Sequence, residues 1–319
     1  MTKRVCGPSK YSTTSRYEPT TTVPSIHNRH TPMQIAIYGN RRQQSHILSI
    51  LALIDELAAN GVDILMHSKL YNYLHDNAPR GFRVARVVAD DEPFDASMAI
   101  SIGGDGTFLN TARWIGSRQI PILGINTGHL GYLAACTMDD AIGYVPAIVK
   151  GHYMVEDRSM LWVKSPGNEI DWPYALNEVA ILKKDTSSML NVVTAINGQH
   201  LAVYRADGLI VSTPTGSTGY NLSVGGPILQ PSTPALVIVP IAPHSLTMRP
   251  VVIDDRSTIT TTTDTRADSY LLSLDGRSTP LPADSSLTIH RAPFVTKVVH
   301  LTRDYTFVDT LHSKLHWGS

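Results

Sequence analysis

Met98-Ala99-Ile100-Ser101-Ile102-Gly103-Gly104-Asp105-Gly106-Thr107-Phe108-Leu109-Asn110 decides how this chain reads. Met98 to Ile102 has the texture of a buried strand. It runs straight into three glycines that surround one carboxylate, and an apolar helical pattern follows. Strand, glycine turn and helix in that order belong to a parallel α/β sheet, whose ligands gather at the carboxyl ends of the strands. Glycine lets a ligand approach the backbone closely. The N–H groups at a helix start can then receive phosphate oxygens, which makes Gly103, Gly104, Gly106 and Thr107 a candidate phosphate-binding loop. A bare carboxylate would repel phosphate, so Asp105 needs a different task. It can bind a metal or accept a hydrogen bond from a hydroxyl under attack; a plain helix cap is the structural alternative.

Working outward, the flanking sequence keeps the same alternation. Gln34 to Tyr38, Val62 to Met66 and Ile120 to Ile125 read as further strands. Ser45 is placed to cap a helix with Ile47, Leu48, Leu51, Ile54, Leu57 and Ala58 on one face, ended by Asn60-Gly61. After about residue 150 short β-branched or alternating runs take over, among them Leu161 to Lys164, Glu178 to Leu182, Val192 to Ile196, Leu209 to Ser212, Leu236 to Val239, Thr258 to Thr263, Tyr270 to Leu274 and Leu287 to His290. Turns such as Asn197-Gly198 and Asp275-Gly276 punctuate them, as in an all-β domain. Phe307, Leu311 and Leu315 then fall at helical spacing. The fold class is α/β plus all-β: a Rossmann-like parallel α/β domain over 33–150 and a β-rich, sandwich-like domain over 151–298. A tail over 299–319 returns to the first domain.

Composition narrows the function. The 27 basic and 27 acidic residues balance, so no global field draws the protein to nucleic acid or membrane. No apolar run approaches the ~18 residues that a spanning helix needs. Cys6 and Cys136 are the only cysteines, which fits a reducing compartment. The thirteen histidines form no HExxH pattern and the two cysteines supply no CxxC pair, so structural zinc is not expected. Residues 1–32 carry five Lys/Arg against the single acid Glu18 and read as a disordered tail or an extension ahead of Met33, rather than as an organelle transit peptide.

Two further segments carry chemistry. Thr213-Pro214-Thr215-Gly216-Ser217-Thr218-Gly219-Tyr220-Asn221-Leu222-Ser223-Val224-Gly225-Gly226-Pro227 follows the apolar run from Asp207 to Ser212. Its hydroxyls and amides suit a ribose or phosphate, and Tyr220 offers a ring for stacking. It contains no lysine, so it is not a P-loop, and neither GxGxxG nor the protein-kinase HRD and DFG segments occur. Asn177-Glu178 opens an apolar strand; Glu178 is either an ordinary solvated strand end or an acceptor of ribose hydroxyls, with Asn177 reading an adenine edge.

Taken together, Gly103 to Asn110, Asn126-Thr127-Gly128-His129-Leu130-Gly131, Asn177-Glu178, Asp207 to Leu229, Pro243-His244-Ser245 and the terminal Leu311 to Gly318 resemble the NAD kinase family in its bacterial form. Lipid kinases and 6-phosphofructokinases carry loops like Gly103 to Thr107, so the combination and its order make the likeness specific. The resemblance implies ATP-dependent phosphorylation of NAD at the 2′-hydroxyl of its adenosine ribose, in a cytoplasmic enzyme active as a homodimer or homotetramer. It implies ATP as co-substrate with Mg²⁺ or another divalent cation, and neither nucleic acid nor membrane as a partner. Asp105 matches the proton acceptor for the 2′-hydroxyl, with Gly106 beside the ligand, and Asn177 and Glu178 match contacts to the adenosine half. Asp207, Thr218, Gly219, Tyr220, Asn221, Leu222 and Ser223 match further dinucleotide contacts, and Arg205 matches a ligand-facing position that varies. Arg277, where many relatives have Gln, and Gly219, where Ala is commoner, depart from the pattern. A lipid or sphingoid-base kinase should lack the Asn-Glu strand and the Thr213 to Tyr220 segment. A non-catalytic dinucleotide sensor should have lost the carboxylate of Asp105. His129 and His244 read as structural histidines, and Trp317 as a residue able to cover a subunit contact.

Overall fold

The computed structural model describes residues 32–40, 44–128, 131–184, 189–265, 267–301 and 307–315. The expectations for the N-terminal tail, His129 and Trp317 therefore lie outside the described residues. The first part of the chain alternates as expected: β1 (Gln34–Gly39), α1 (Ile47–Ala59), β2 (Asp63–His67), α2 (Ser68–Asn77), β3 (Arg86–Val88), β4 (Met98–Ile102), α3 (Asp105–Ile115), β5 (Ile122–Ile125) and α4 (Met138–Val149). Strands follow: β6 (Met154–Lys164), β7 (Tyr174–Ala175), β8 (Glu178–Leu182), β9 (Leu190–Ile196), β10 (Gln199–Ala206) and β11 (Gly208–Ser212). After the short helix α5 (Tyr220–Ser223) come β12 (Ala235–Ile241), β13 (Val251–Asp254), β14 (Ile259–Asp264), β15 (Ser269–Leu274), β16 (Arg277–Pro282) and β17 (Ser286–His300), and α6 (Phe307–Leu315) ends the described chain.

Strands β5, β4, β1, β2 and β3 lie side by side and parallel. Every residue of β4 is buried, which is why its sequence shows no alternation. The second part forms a six-stranded sheet, β13-β12-β11-β8-β15-β16, with antiparallel pairing throughout. It packs on strands β6, β9, β10, β14 and β17 through a shared core that includes Val179, Tyr204, Val211, Tyr270 and Ile289. That is the expected sandwich.

The boundary between the parts is less clean than the sequence suggests. β17 continues past residue 298 and pairs in parallel with β5 at Val298 and Ile122. Its earlier length pairs antiparallel with β6 and β14. One large sheet thus runs through both halves, and a fifteen-residue strand ties them together.

Helix α1 shows where apolar spacing misleads. Its buried face is Ile47, Ile50, Leu51, Leu53, Ile54 and Leu57, whereas Leu48 is 68% exposed and Ala58 is exposed too. Aliphatic residues fill the helix on nearly every side, so spacing alone admits a stripe shifted by one residue. Ser45 does not cap it, because Gln44–His46 makes a single 3-10 turn first. The Asn60-Gly61 stop is where expected, with Gly61 at φ 75° and Asn60 hydrogen-bonded back to Glu56. Helices α2 and α4 add to the elements expected from sequence; Thr137 caps α4 by accepting the Asp140 N–H at 3.1 Å. Among the described residues no helix is long and apolar enough to cross a membrane.

Ile289, fully buried between the sheets, should lose about 2–5 kcal/mol on Ile289→Ala in urea unfolding. Leu48→Ala should change stability by no more than about 0.5 kcal/mol; an equal loss at both positions would contradict the packing of α1.

Candidate functional site

The loop after β4 is built by close approach. Gly103 has φ 152°, and a Cβ there would meet the Thr107 hydroxyl at 2.2 Å, so only glycine lets the chain turn into α3. Thr107 is buried beneath it, and its hydroxyl accepts a hydrogen bond from Asn40 at 3.2 Å. The Thr107 side chain therefore faces inward and serves the turn. Gly104 and Gly106 are exposed, and a Cβ on either would meet nothing within 4 Å. Internal packing gives no reason for glycine at these two positions. Glycine there leaves room for close approach to the backbone. Gly104 caps α3, whose first N–H groups lack carbonyl partners inside the helix.

Asp105 opens α3, and its carboxylate gathers the loop after β5. Oδ2 accepts the Tyr132 N–H at 2.8 Å, and Oδ1 accepts the Leu133 and Ala134 N–H groups at 3.0 Å each. Gly131 comes so near that a Cβ would stand 1.9 Å from Oδ1. Asn126 fixes the same loop, donating to the Ala134 carbonyl at 3.2 Å and accepting from Gly128 at 2.6 Å. Asp105 is thus no ordinary helix cap. A carboxylate has about four acceptor positions. Three are used, and Oδ2 retains one for a hydroxyl.

Asn177 and Glu178 are held from below by a residue whose local sequence suggests only a turn. Asp275, at φ 49° between β15 and β16, accepts the N–H groups of Leu176, Asn177 and Glu178 at 2.7, 2.8 and 3.1 Å. The segment Asn177-Glu178 then faces the Gly219-Tyr220 turn, where a Cβ on Gly219 would lie 3.2 Å from Glu178 Oε2. Burial, reinforced by the charge of Asp275, pushes the Glu178 carboxyl up to about 7, while the Tyr220 N–H donates to it and opposes the rise. Glu178 is only 9% exposed. Its Oε2 and the Oδ1 of Asn177 are buried without a hydrogen-bond partner. Unpaired buried oxygens are uncommon in folded chains, and two on adjacent residues call for a ligand or ordered water.

Much of the polar segment after β11 looks inward instead. The Thr213 hydroxyl donates to the Leu176 carbonyl at 2.6 Å, and the Ser217 hydroxyl donates to the Pro214 carbonyl at 2.6 Å. Asn221 donates to the carbonyls of Ser217 and Pro227 at 3.0 Å each, so its amide nitrogen locks the loop, although its Oδ1 is buried without a partner. Thr218, Gly219, Tyr220, Leu222 and Ser223 keep surface open to solvent. Arg205 is exposed on β10, and Asp207 pairs with Lys183 at 2.7 Å. Arg277 is committed to the chain itself, donating to the carbonyls of Trp172 and Tyr174 at 3.2 and 2.8 Å. His244 lies exposed, so it is not a core histidine.

Two cavities bring these groups into one region. A smaller one of about 270 Å³ lies between Gly106 and Asn110 on one side and Leu176 and Asp275 on the other. A larger cleft of about 1310 Å³ has Tyr132 and Leu133 facing Thr215 and Thr218, with Phe307 and Thr310 of α6 on its wall. The glycine loop and the β8–β11 segment thus meet from opposite halves of the chain. Among the described residues no group of three His, Cys, Asp or Glu side chains is placed to hold a metal ion.

Comparison with known proteins identifies the family. Residues 35–153 match the ATP-NAD kinase N-terminal domain, and residues 176–301 match the ATP-NAD kinase C-terminal domain. An NAD kinase of Bacteroides fragilis is 44% identical over 291 residues, covering 90% of this chain and 99% of its own. One from Porphyromonas gingivalis is 42% identical over 286 residues, covering 90% and 98%. Among solved structures, yeast NADH kinase complexed with NADH shares the fold with a TM-score of 0.80 at 22% identity, covering 91% of this chain and 89% of that one. An NAD kinase from Archaeoglobus fulgidus in complex with ATP has a TM-score of 0.68 at 24% identity, covering 88% and 98%. Both domains are matched in order, and the likeness to the bacterial enzymes runs nearly end to end: this chain belongs to the NAD kinase family.

Proposed function

We propose that the protein transfers the γ-phosphoryl group of ATP to the 2′-hydroxyl of the adenosine ribose of NAD, giving NADP. The observation that carries this reading is the placement of Asp105. Three backbone amides fix its carboxylate at the start of α3, beside glycines with open space above them. The N–H groups at that helix start suit donor phosphates. Oδ2 suits the acceptor hydroxyl, whose proton it takes as the phosphoryl group arrives. In-line phosphoryl transfer depends mainly on such positioning and on electrostatic stabilisation.

Asn177 and Glu178 hold the adenosine half in this scheme, their unpaired oxygens accepting from adenine and ribose. Thr218, Gly219, Tyr220, Leu222 and Ser223 border the dinucleotide in this scheme, Asn221 stiffens that border, and Arg205 and Asp207 supply further contacts. Magnesium fits this donor set only as a partner of the triphosphate. A hard cation would be held there by phosphate oxygens and water and would neutralise their charge. The intact Asp105 argues against a binding-only sensor, and the Asn177-Glu178 pair against a lipid kinase. The reading extends to a cytoplasmic homodimer or homotetramer, which rests on the resemblance to the family.

The direct test is a coupled assay for NADP formed from NAD and ATP-magnesium; no product under saturating substrates would overturn the reading. Asp105→Asn should lower kcat by at least ~10²–10⁴-fold with the far-UV dichroism retained. Gly131→Ala, which drives a methyl into the same carboxylate, should cost about 10²-fold through misplacement alone. Near-full turnover in either variant would show that Asp105 is not the proton acceptor.

Glu178 yields a pH signature. Its ionised form accepts the ribose hydroxyls, so kcat/KM for NAD should rise with pH through about 7 and then level off. Glu178→Gln should flatten that rise. Because its folded-state pKa lies above the ordinary 4.5, its contribution to stability is full below about 4.5 and is lost as pH climbs through about 7. Urea titrations of the ligand-free protein across this window should show the decline, and the Gln variant should lack it.

A further inference from the structure

The glycine loop from Gly103 to Thr107 contains no lysine or arginine, so it attracts a triphosphate through backbone amides alone. A phosphoryl group in transit spreads negative charge over three oxygens, and a fixed cation beside it lowers the barrier. Several basic side chains around the cleft are already engaged: Arg113 with Asp171 at 2.6 Å, Arg158 with Glu156 at 2.7 Å and Lys297 with Asp157 at 2.9 Å. Lys183 pairs with Asp207, and Arg277 donates to backbone carbonyls.

Lys314 differs. It follows Phe307 by seven residues and Thr310 by four on α6, spacings that share one helical face. Phe307 and Thr310 line the large cleft, and Lys314 stands one turn beyond Thr310 on the same face of α6. Its ammonium is shielded from solvent and has no hydrogen-bond partner among the described residues. An ammonium removed from water without an acceptor is costly. The charge that acts on it is that of Asp105, whose carboxylate anchors the site.

We propose that Lys314 is a catalytic residue that receives the oxygens of the donor's γ-phosphoryl group as it passes to the ribose hydroxyl beside Asp105. This inference rests on the assignment of the protein as an ATP-dependent kinase of NAD. In the step, the bond between the γ-phosphorus and the β,γ-bridging oxygen breaks, and its electron pair leaves with ADP. The 2′-oxygen forms the new bond to phosphorus, and its proton passes to Asp105. Lys314 stays protonated throughout and binds the three equatorial oxygens by charge and N–H donation. A lysine from the end of the chain thereby supplies the cation that a P-loop carries within its own motif.

Burial lowers the Lys314 pKa to about 8, and the charge of Asp105 opposes the lowering. A cation needed for transfer then makes kcat/KM for ATP fall as pH rises through about 8. Other ionisable groups on the same cleft wall are Asp140 of α4, the group of Glu156, Arg158 and His300 in which Glu156 binds both neighbours, the Lys297–Asp157 pair, Cys136 and the phenols of Tyr132, Tyr144 and Tyr153. Glu178 titrates lower and acts on the NAD side.

The test uses the full chain, with kcat and both KM values for NADP formation measured from about pH 6.5 to 9.5. Lys314→Met should lower kcat by about 10²–10³-fold while leaving KM for NAD unchanged. Lys314→Arg should recover most of the rate and lose the decline near pH 8, which a packing role would not predict. Wild-type kcat and ATP KM in the Met variant would overturn the proposal. So would an Arg variant that keeps the decline near pH 8. If the Met variant fails to fold, the pH profile of the Arg variant decides alone. A wild-type protein that forms no NADP would sink the kinase assignment itself, whereas an active wild type with an indifferent Met variant sinks only Lys314.

Discussion

Three backbone N–H groups converge on one carboxylate, and the site is arranged around that convergence. Asp105 ends the turn after β4, yet the amides it accepts come from the loop after β5, at Tyr132, Leu133 and Ala134. A charged acceptor makes stronger hydrogen bonds than a neutral one. The same bonds that order the loop also hold the carboxylate in a single orientation. Gly131 belongs to the arrangement because nothing larger fits against Oδ1. The carboxylate is therefore held in one orientation in the absence of any ligand, and preorganisation of this kind is where phosphoryl-transfer enzymes gain most of their advantage.

Asp275 repeats the device on the other side. It accepts three consecutive N–H groups and so presents Asn177 and Glu178 edge-on to the Gly219-Tyr220 turn. The arrangement leaves buried oxygens on Asn177 and Glu178 unpaired, at a cost of about 1–3 kcal/mol for each such group. A group supplying matching donors there would recover what was lost. The raised pKa of Glu178 has the same origin: a carboxyl taken from water and set near a second carboxylate.

Both anchors depend on a frame that keeps the two halves in register. β17 provides it, pairing with β5 of the parallel sheet at one end and with β6 and β14 of the sandwich along its length. Continuous strand pairing resists hinge motion more than a flexible linker does. The cleft between the halves is therefore a built feature, and α6 closes part of its wall.

Local sequence settled the features that local physics controls. The buried strand β4, the glycine turn after it and the helix start follow from apolar texture and from the space glycine leaves. The β-rich second half follows from alternation and turn residues. Partners distant in sequence followed from none of these. Nothing near Asp275-Gly276 signals that its carboxylate reaches back to Leu176, Asn177 and Glu178, since an Asp-Gly hairpin reads the same with or without such a partner. The polar run from Thr213 looks outward in sequence, yet Thr213 and Ser217 turn inward to satisfy buried carbonyls. Only packing determines which hydroxyls a loop keeps for itself. The face of α1, Thr107 beneath its loop and the burial of the Lys314 ammonium were decided in the same way. Each depends on where separate elements come to rest, and that is fixed by the tertiary fold rather than by spacing along the chain.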